Sequence, residues 1–414
     1  MVMAKLFLAA IFFSVLTTAY SLSSSLITED IDSLSLHAIS AILVEANSGQ
    51  ILYAHNPHQL IPPASLAKLV TLKLAYQAIG EGRLSADSLI PISGRAHFSN
   101  QPAGSSLMYI AEGHRVTLYE LMLGLALPSG NDAAVAVAEA VAGSVEDFVT
   151  LMNDEARRLG LSDTTFTEPA GIAGSNITTA YDFARFTRSY LASHPYAIEQ
   201  LHNRRSFTYP TAANLGNATV RWAPMLRGNT NNSLLNNYEY ADGLKTGFIR
   251  AAGYNLVATA RRDGMQLIAV ILGVQAPGPQ TGSVRRNQDA ITLFDYGFNN
   301  FEFINLNNFI AIPARIWGGE ERTAWLKIPN NKAALLIRRC FSREVTFNTP
   351  ANLNLLAPLP AGYEAGRLTI NYANNSYTLP LITAGEIPAV PNRLLYKLAR
   401  LALWFKQLAL TLKA

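Results

Sequence analysis

PPASLAKLVTLKLA, residues 62–75, begins a long helical pattern that extends to Ile79. Proline suits the first turn of a helix, so we predict that Ser65 lies at or near a helix start, with Lys68 one turn later on the same face. The pair would then place a hydroxyl and an amine within reach of each other. A helix N-terminus adds partial positive charge and free N–H groups beside the hydroxyl.

This Ser-x-x-Lys pair suggests nucleophilic chemistry. A serine hydroxyl becomes a good nucleophile when a base takes its proton, and lysine can be that base when burial or a second cation lowers its pKa. Apolar residues that could supply the burial flank Lys68 in the sequence: Leu66, Ala67, Leu69 and Val70. Taken alone, the pair is equally typical of an exposed helix face.

A second short motif is Ser129-Gly130-Asn131, which precedes a helical pattern over 132–141. A hydroxyl and an amide one residue apart on a glycine-permitted turn can project into one cleft. The alternative is a helix N-cap formed by Asn131 or Asp132. The motif alone does not decide between these interpretations.

The third motif is Lys245-Thr246-Gly247, followed by Phe248 and a strand pattern from Gly253. On an edge strand, a glycine lets an extended peptide approach the backbone, while the cation and the hydroxyl bind a carboxylate. Lys245 would also be the second positive charge that lowers the pKa of Lys68. The alternative is a turn that carries a solvated lysine.

The chain around these motifs predicts a mixed α/β domain over 36–300. The pattern over residues 37–53 predicts a hairpin. Strand patterns over 253–260 and 265–274, joined through Asp263-Gly264, predict a second hairpin. Helical patterns cover 65–79, 118–127, 132–141, 145–160, 180–193 and 284–296. We expect the first and last strand pairs to share one antiparallel sheet.

From about residue 301 the pattern changes to short alternating runs separated by Gly, Pro and Asn. The runs are 309–312, 323–328, 334–338, 345–347, and 368–372 and 377–379 about an Asn374-Asn375 turn. They predict a small all-β domain over 301–384.

The composition is that of a globular protein. Of the 414 residues, 49% are hydrophobic and 15% charged, which is enough to bury one large core and a smaller one. No unit repeats at a fixed period, which excludes collagen, solenoids and propellers.

Metal and phosphate chemistry find little support in the sequence. The single cysteine, Cys340, excludes an internal disulfide and every zinc site built from several thiolates. The seven histidines show no pair with a glutamate at zinc-protease spacing, and no glycine-rich phosphate loop follows a predicted strand. We predict no metal and no cofactor.

The N-terminal segment has the sequence pattern of a secretory signal peptide. Lys5 precedes an apolar run, and small residues follow before Ser21, so we predict a signal peptide over 1–21 with removal near its end. The alternative is an uncleaved membrane anchor, for which the apolar run is short.

The C-terminal segment, 392–414, predicts an amphipathic helix with leucines, Trp404 and Phe405 beside basic residues. The formal net charge is +4, and the basic residues of this segment account for it. Such a helix suits the headgroup region of anionic lipid, so we expect a membrane surface rather than nucleic acid as the partner. The alternative is a helix docked on the protein's own body.

Together, and in this order, the three motifs resemble the signature of penicillin-binding proteins and serine β-lactamases. The chain is most similar to the low-molecular-mass penicillin-binding proteins of the D-alanyl-D-alanine carboxypeptidase type. The likeness extends to LMLGLALPSGNDAAVAVAEAVAGS, ADGLKTGFIRAAGYNLVATARRDGMQLIAVILGV and LLAPLPAGYEAGRLTI. It implies a β-lactamase-like catalytic domain, in which helices flank an antiparallel sheet, followed by a small β domain.

The resemblance also implies roles for individual residues. Ser65 would be the acylated nucleophile and Lys68 its general base. Ser129 and Asn131 would relay protons and contact the substrate amide. The substrate's terminal carboxylate would be held by Lys245 and Thr246, beside Gly247, and the backbone N–H groups of Ser65 and Phe248 would form an oxyanion hole.

The implied substrates are peptidoglycan stem pentapeptides, with β-lactams as inhibitors that acylate Ser65. The implied location is the periplasmic face of the bacterial cytoplasmic membrane. Three alternatives remain from the sequence: a D,D-endopeptidase of cross-linked peptidoglycan, a β-lactamase, and a non-catalytic membrane-tethered scaffold.

One position departs from the family pattern. Glu168 is found where the family often has asparagine, which suggests the deacylating glutamate of class A β-lactamases. The residues expected after such a glutamate are absent, so we interpret Glu168 as structural. Between Thr219 and Tyr240 the chain fits a family Asn-Thr-Asn…Leu-Leu pattern only with an offset, and this segment receives no role.

Overall fold

The computed structural model describes residues 34–216, 218–308, 312–339, 345–349, 353–372 and 375–411. The predicted signal peptide, 1–21, lies outside these ranges. So do Cys340, Asn374 and most of the predicted strand over 309–312. Those predictions therefore have no structural counterpart to compare.

A five-stranded antiparallel sheet forms the centre of the molecule, in the order β2-β1-β9-β8-β7. Its strands are β1 (Ser40–Glu45), β2 (Ile51–His55), β7 (Ala241–Ile249), β8 (Gly253–Arg262) and β9 (Met265–Val274). β1 pairs with β9, with Ile42 opposite Val270, so the first and last strand pairs share one sheet as predicted. Within the part of the chain that the structure describes, β7 pairs only with β8 and is an edge strand.

Helices cover both faces of this sheet, because its buried strands alternate their side chains between the two sides. On one face, Ile42 and Val257 join a core with helices α1 to α5. On the other face, Leu43 and Leu256 join a core with α8. The helices are α1 (Lys68–Gly80), α2 (Leu118–Ala126), α3 (Asn131–Ala142), α4 (Val145–Arg158), α5 (Ala180–Ser193) and α8 (Pro279–Asn300).

Two helix bounds differ from the predictions in informative ways. Helix α1 begins at Lys68, because Ala64–Ala67 forms a 3₁₀ turn in which Ala64 has φ +52°. Helix α8 extends well beyond the predicted 284–296 at both ends. Its N-terminal extension begins at Pro279, a residue that favours a first helical position.

Several short elements that the sequence patterns did not predict connect the main ones. They are β3 (Leu89–Ile90), β4 (Val116–Thr117), β5 (Ser206–Thr208), β6 (Leu226–Gly228), α6 (Ala212–Leu215), α7 (Asn232–Asn237) and a π-helix at Ile198–His202. Elements of two to six residues carry too little periodicity to be read from a sequence.

The C-terminal part of the described chain is built from β-strands. Six of them form a sheet in the order β14-β16-β17-β12-β11-β15, and β10 pairs with β13. The strands are β10 (Phe301–Asn305), β11 (Ile312–Trp317), β12 (Thr323–Lys327), β13 (Ala334–Arg338), β14 (Thr346–Asn348), β15 (Asn354–Leu356), β16 (Glu364–Tyr372) and β17 (Asn375–Thr383). A separate hydrophobic core, which includes Leu326 and Leu368, fills this part.

The last described element is helix α9 (Arg393–Thr411). Its inner side faces the β-rich part: Leu403 is buried, and the Lys406 ammonium donates to Asn354 Oδ1 at 3.1 Å. Large apolar side chains on the same helix remain exposed: Leu394, Leu395, Leu398, Leu401, Trp404 and Phe405. The helix is therefore both docked and amphipathic.

Candidate active site

The Ser-x-x-Lys pair lies where the 3₁₀ turn passes into α1. Lys68 is fully buried, and its Nζ donates to Ser65 Oγ at 3.0 Å and to Asn131 Oδ1 at 2.7 Å. It also donates to the carbonyl oxygen of Ala170. The amine therefore joins residues from three separate stretches of the chain.

Burial lowers the pKa of Lys68 from its usual value to about 7, although the charges of Glu168 and Asp132 oppose the shift. A pKa near 7 leaves a large fraction of the amine neutral at neutral pH. A neutral amine 3.0 Å from a hydroxyl can accept that hydroxyl's proton. The pair thus has the geometry of a nucleophile and its general base.

Lys245 is the second buried amine of the site. Its pKa is lowered well below the usual value by burial first, then by repulsion from Lys68 and from Arg286. We expected this repulsion to lower the pKa of Lys68; it contributes to the lowered pKa of Lys245, while burial is the largest cause of the lowered pKa of Lys68.

The turn at Ser129-Gly130-Asn131 places the second motif against the first. Ser129 has φ +63°, and its buried Oγ has no hydrogen-bond partner among the described residues. Gly130 is the N-cap of α3, and no side chain caps it. The Asn131 amide instead accepts from Lys68, so the interpretation of Asn131 as a helix cap is wrong.

Asp132 is not a helix cap either. Its fully buried carboxylate accepts hydrogen bonds from the backbone N–H groups of Met108, Tyr109 and Ile110, at 2.7 to 3.1 Å, and from its neighbour Ala133. These bonds fix the segment at 108–110 beside the turn.

The third motif lies on β7, the edge strand. Lys245 is fully buried, and the Thr246 hydroxyl donates to Thr230 Oγ1 at 2.8 Å. A Cβ on Gly247 would lie 3.2 Å from the backbone nitrogen of Ser65, so the strand passes directly beside the Ser65 turn. The following residue, Phe248, is half exposed and packs on Tyr254.

The loop that follows Glu168 forms another wall of the site. The Glu168 carboxylate accepts from the backbone N–H groups of Ala170 and Ile172 and from Asn176 Nδ2. These bonds shape the loop so that the Ala170 carbonyl reaches Lys68. The contacts support the interpretation of Glu168 as a structural residue.

The sequence patterns gave no role to three residues that lie beside the site. Thr230 partners Thr246, and Arg286, which is almost fully buried, influences Lys245. Asn231 has a buried amide with no partner among the described residues. The only sequence feature that could have identified Thr230 and Asn231 is the family pattern that their segment fits with an offset. No sequence feature pointed to Arg286.

Among the residues that the structure describes, no group of three or more His, Cys, Asp or Glu side chains could hold a metal ion. The chemistry available at the site is that of one hydroxyl, two amines and their amide and hydroxyl neighbours. Such a set suits acyl transfer through a serine ester.

Comparison with known proteins identifies the family. Residues 27–276 match the Peptidase_S11 family, described as D-alanyl-D-alanine carboxypeptidase. The chain belongs to this family. The resemblance inferred from the three motifs is thereby confirmed.

Individual members of the S11 family and related solved structures are similar to this chain over most of its length. The chain is 33% identical over 307 residues to D-alanyl-D-alanine carboxypeptidase DacD of Escherichia coli (strain K12), covering 71% of this chain and 74% of the relative. A crystal structure of penicillin binding protein 5 from Haemophilus influenzae matches with TM-score 0.69 and 28% identity, over 87% of this chain and 100% of that chain.

Penicillin-binding protein D2 from Listeria monocytogenes, in its cefotaxime-bound form, matches with TM-score 0.54 and 27% identity over 64% of this chain and 98% of that chain. These similarities confirm the predicted fold class: a penicillin-binding-protein fold with mixed α/β architecture and an additional β part.

Proposed function

We propose that this chain is a serine-type D-alanyl-D-alanine carboxypeptidase that removes the terminal D-Ala from peptidoglycan stem pentapeptides. The observation that carries the proposal is the 3.0 Å contact between the buried Lys68 amine and the Ser65 hydroxyl, in a member of the S11 family. The names of its relatives supply the substrate class.

The proposed reaction has two halves. Ser65 Oγ attacks the carbonyl carbon of the penultimate D-Ala while its proton passes to the neutral Nζ of Lys68. The bond to the terminal D-Ala breaks, and the leaving amine takes up a proton. Water then attacks the serine ester, which releases the shortened peptide and restores the Ser65 hydroxyl.

The other motif residues bind and orient the substrate. The substrate's terminal carboxylate is attracted by the Lys245 ammonium, with Arg286 nearby, and accepts from the Thr246 hydroxyl. That carboxylate also favours the protonated form of Lys245, so one proton of the lysine pair resides there and leaves Lys68 neutral.

The developing oxyanion requires donors beside Ser65. We assign this role to the backbone N–H groups of Ser65 and Phe248, since β7 passes next to the Ser65 turn at Gly247. Ser129 Oγ, which has no partner of its own among the described residues, is available to relay a proton to the leaving amine. Asn131 orients Lys68 and contacts the substrate amide.

β-Lactams carry a carboxylate and a strained amide in a similar arrangement, so they acylate Ser65 and are released slowly. The cefotaxime-bound relative supports this part of the proposal. Fluorescent penicillin should label the protein but not its Ser65→Ala variant. Absence of labelling on the wild-type protein would favour the scaffold alternative.

Substrate choice is tested by product analysis. Incubation with a stem pentapeptide should release free D-Ala, and Ser65→Ala should abolish the release. Cleavage of a cross-linked peptide dimer at a higher rate than D-Ala release would instead favour the D,D-endopeptidase alternative.

The location of the enzyme is also part of the proposal: export by the 1–21 signal peptide, and action at the outer face of the cytoplasmic membrane. No helix among the described residues is long and apolar enough to span a bilayer. Helix α9 instead presents exposed Leu398, Trp404 and Phe405, which suits a position within the headgroup region.

Sedimentation with anionic phospholipid vesicles tests this assignment. Trp404→Glu should weaken binding, because it places a negative charge on the exposed apolar side of α9. Val284→Glu, which alters an exposed apolar residue on α8 instead, is the control. Equal binding of both variants and the parent protein would contradict the membrane assignment.

A further inference from the structure

His202 is a fully buried histidine that the proposed reaction does not use. It ends the π-helix Ile198–His202, and its Nδ1 lies 3.2 Å from the carbonyl oxygen of Leu244. Its Nε2 lies 2.8 Å from the hydroxyl of Tyr190. Leu244 directly precedes Lys245, so the imidazole binds the backbone of β7 next to the proposed carboxylate-binding residues.

The partners of His202 determine its protonation state. A carbonyl oxygen can only accept, so Nδ1 carries the proton and donates it to Leu244. The Tyr190 hydroxyl then donates to the unprotonated Nε2. Burial lowers the pKa of His202 to about 3, which keeps the ring neutral throughout the physiological range. The hydrogen bond to Leu244 therefore does not depend on pH near neutrality.

The position of this bond on β7 is important. β7 is an edge strand, and its outer edge has no strand neighbour in the described sheet. In an antiparallel ladder, the backbone groups of residues two apart face the same edge, so Leu244 and Thr246 share that open edge. The bond from His202 therefore holds this open edge at Leu244, immediately before Lys245 and Thr246, which would meet an extended substrate.

A second set of contacts links the backbone of His202 to Thr246. Its carbonyl oxygen accepts from Asn229 Nδ2 at 2.9 Å, and Asn229 Oδ1 accepts from the Asn231 N–H at 2.8 Å. Thr230, which lies between these two asparagines, holds the Thr246 hydroxyl. His202 thus supports both Lys245, through β7, and Thr246, through Thr230.

The close approach of His202 to β7 is eased by a glycine. A Cβ on Gly243 would lie 3.1 Å from the Cβ of His202, a tight contact that the glycine avoids. Together, these contacts connect His202, through its ring and through its backbone carbonyl, to both residues that would hold the substrate carboxylate.

We propose that His202 is a positioning residue that sets the geometry of Lys245 and Thr246 for recognition of the substrate's terminal carboxylate. The inference rests on the proposed function. The His202 ring acts through the Leu244 carbonyl, the His202 backbone carbonyl acts through Asn229, and neither touches the substrate or Ser65.

The test compares acylation by benzylpenicillin with acylation by its methyl ester, in which the carboxylate is blocked. The ratio of the two second-order rate constants reports carboxylate recognition. His202→Leu removes the donor to Leu244 and should reduce this ratio about 10- to 100-fold, the range expected when a binding group is displaced by about 1 Å. The rate with the ester should change much less.

Two further variants separate positioning from general damage to the core. His202→Asn places an amide donor near the Nδ1 position and should restore most of the ratio. Tyr190→Phe removes a buried hydrogen bond to the same ring but leaves the Leu244 contact, so its ratio should stay close to that of the parent. Thermal unfolding of each variant shows which of them fold.

The outcomes are distinguishable. If benzylpenicillin fails to acylate the parent protein, the proposed function itself is wrong. If it acylates the parent and the ratio in folded His202→Leu is unchanged, or falls equally in Tyr190→Phe, the positioning role is wrong. Should His202→Leu fail to fold, His202→Met, which also lacks a donor for the Leu244 carbonyl, takes its place: a lowered ratio in the folded variant supports the inference, and an unchanged ratio overturns it.

Discussion

The Nζ atom of Lys68 lies 3.0 Å from Ser65 Oγ, and all its described hydrogen-bond acceptors are uncharged: Ser65 Oγ, Asn131 Oδ1 and the Ala170 carbonyl. A buried lysine paired directly with a carboxylate would keep its proton. Here burial outweighs the more distant charges of Glu168 and Asp132, so the pKa of Lys68 falls to about 7. The site therefore holds an amine that can act as a base at neutral pH.

This pKa predicts the pH dependence of acylation. Below about pH 7, Lys68 is protonated and cannot accept the Ser65 proton, so the acylation rate should fall about tenfold for each pH unit on the acidic side. Stopped-flow measurement of penicillin acylation between pH 5 and 8 tests this. A rate independent of pH over that range would show that the pKa of Lys68 is not the controlling one.

Glu168→Gln separates a structural from a catalytic role for this residue. Glutamine preserves the size of the side chain and one of its two acceptor oxygens, so one loop hydrogen bond, such as that from Ala170, is lost. It also removes the charge that raises the pKa of Lys68. We expect the acidic limb of the acylation profile to move to lower pH, and deacylation to stay near the parent rate.

Deacylation is followed by the loss of bound fluorescent penicillin over time. If Glu168 activated the deacylating water, its replacement would slow this loss by about 10²- to 10⁴-fold. Such a long-lived acyl-enzyme would contradict the structural interpretation.

Gly171→Ala should inactivate the enzyme through the Ser65 turn. Gly171 has φ +75°, and a Cβ there would lie 1.8 Å from the Ala64 carbonyl oxygen and 2.8 Å from the Ser65 nitrogen. The left-handed conformation alone costs alanine about 1–2 kcal/mol, before the clash is counted. Gly174→Ala, in the same loop, meets nothing closer than 3.8 Å and is the matched control.

Penicillin labelling and thermal unfolding of Gly171→Ala and Gly174→Ala test this prediction. We expect strong loss of labelling in Gly171→Ala and near-parent behaviour in Gly174→Ala. Equal labelling of the two variants would mean that the loop does not constrain Ser65 as described.

Asp132→Asn should destabilise the fold. The asparagine NH₂ group would face backbone N–H donors that the carboxylate now accepts, among them those of Met108 and Tyr109. Each buried donor left unpaired costs about 1–3 kcal/mol. Asp263→Asn, at a highly exposed side chain, should change the free energy of unfolding by less than about 0.5 kcal/mol. Urea unfolding compares the two variants. Similar midpoints would contradict the stabilising role of the Asp132 carboxylate.

Much of the architecture was readable from the sequence because it follows from periodicity. Helix α5 was predicted with its observed bounds, and β9 likewise, since both have regular apolar patterns and clear ends. The N-terminal extension of α8 was missed because its first turns are polar and carry no apolar stripe. The 3₁₀ turn before Lys68 was missed because it depends on packing of the site loops, which local sequence does not encode.

The site was readable only in part for a related reason. Three motifs far apart in the chain named the hydroxyl, the amines and the amide that the structure brings together. Thr230 lies in a segment that fits a family pattern only with an offset, and His202 belongs to no motif; the positions of both depend on irregular segments beside β7. Contacts of this kind arise from tertiary structure alone.

The central claim is that Ser65 is the residue acylated by substrates and β-lactams. Mass spectrometry of the protein after brief exposure to benzylpenicillin, followed by peptide mapping, tests it most directly. We predict a single adduct of one penicillin on the peptide that contains Ser65, and none in Ser65→Ala. An adduct on another residue, or one that persists in Ser65→Ala, would contradict the account.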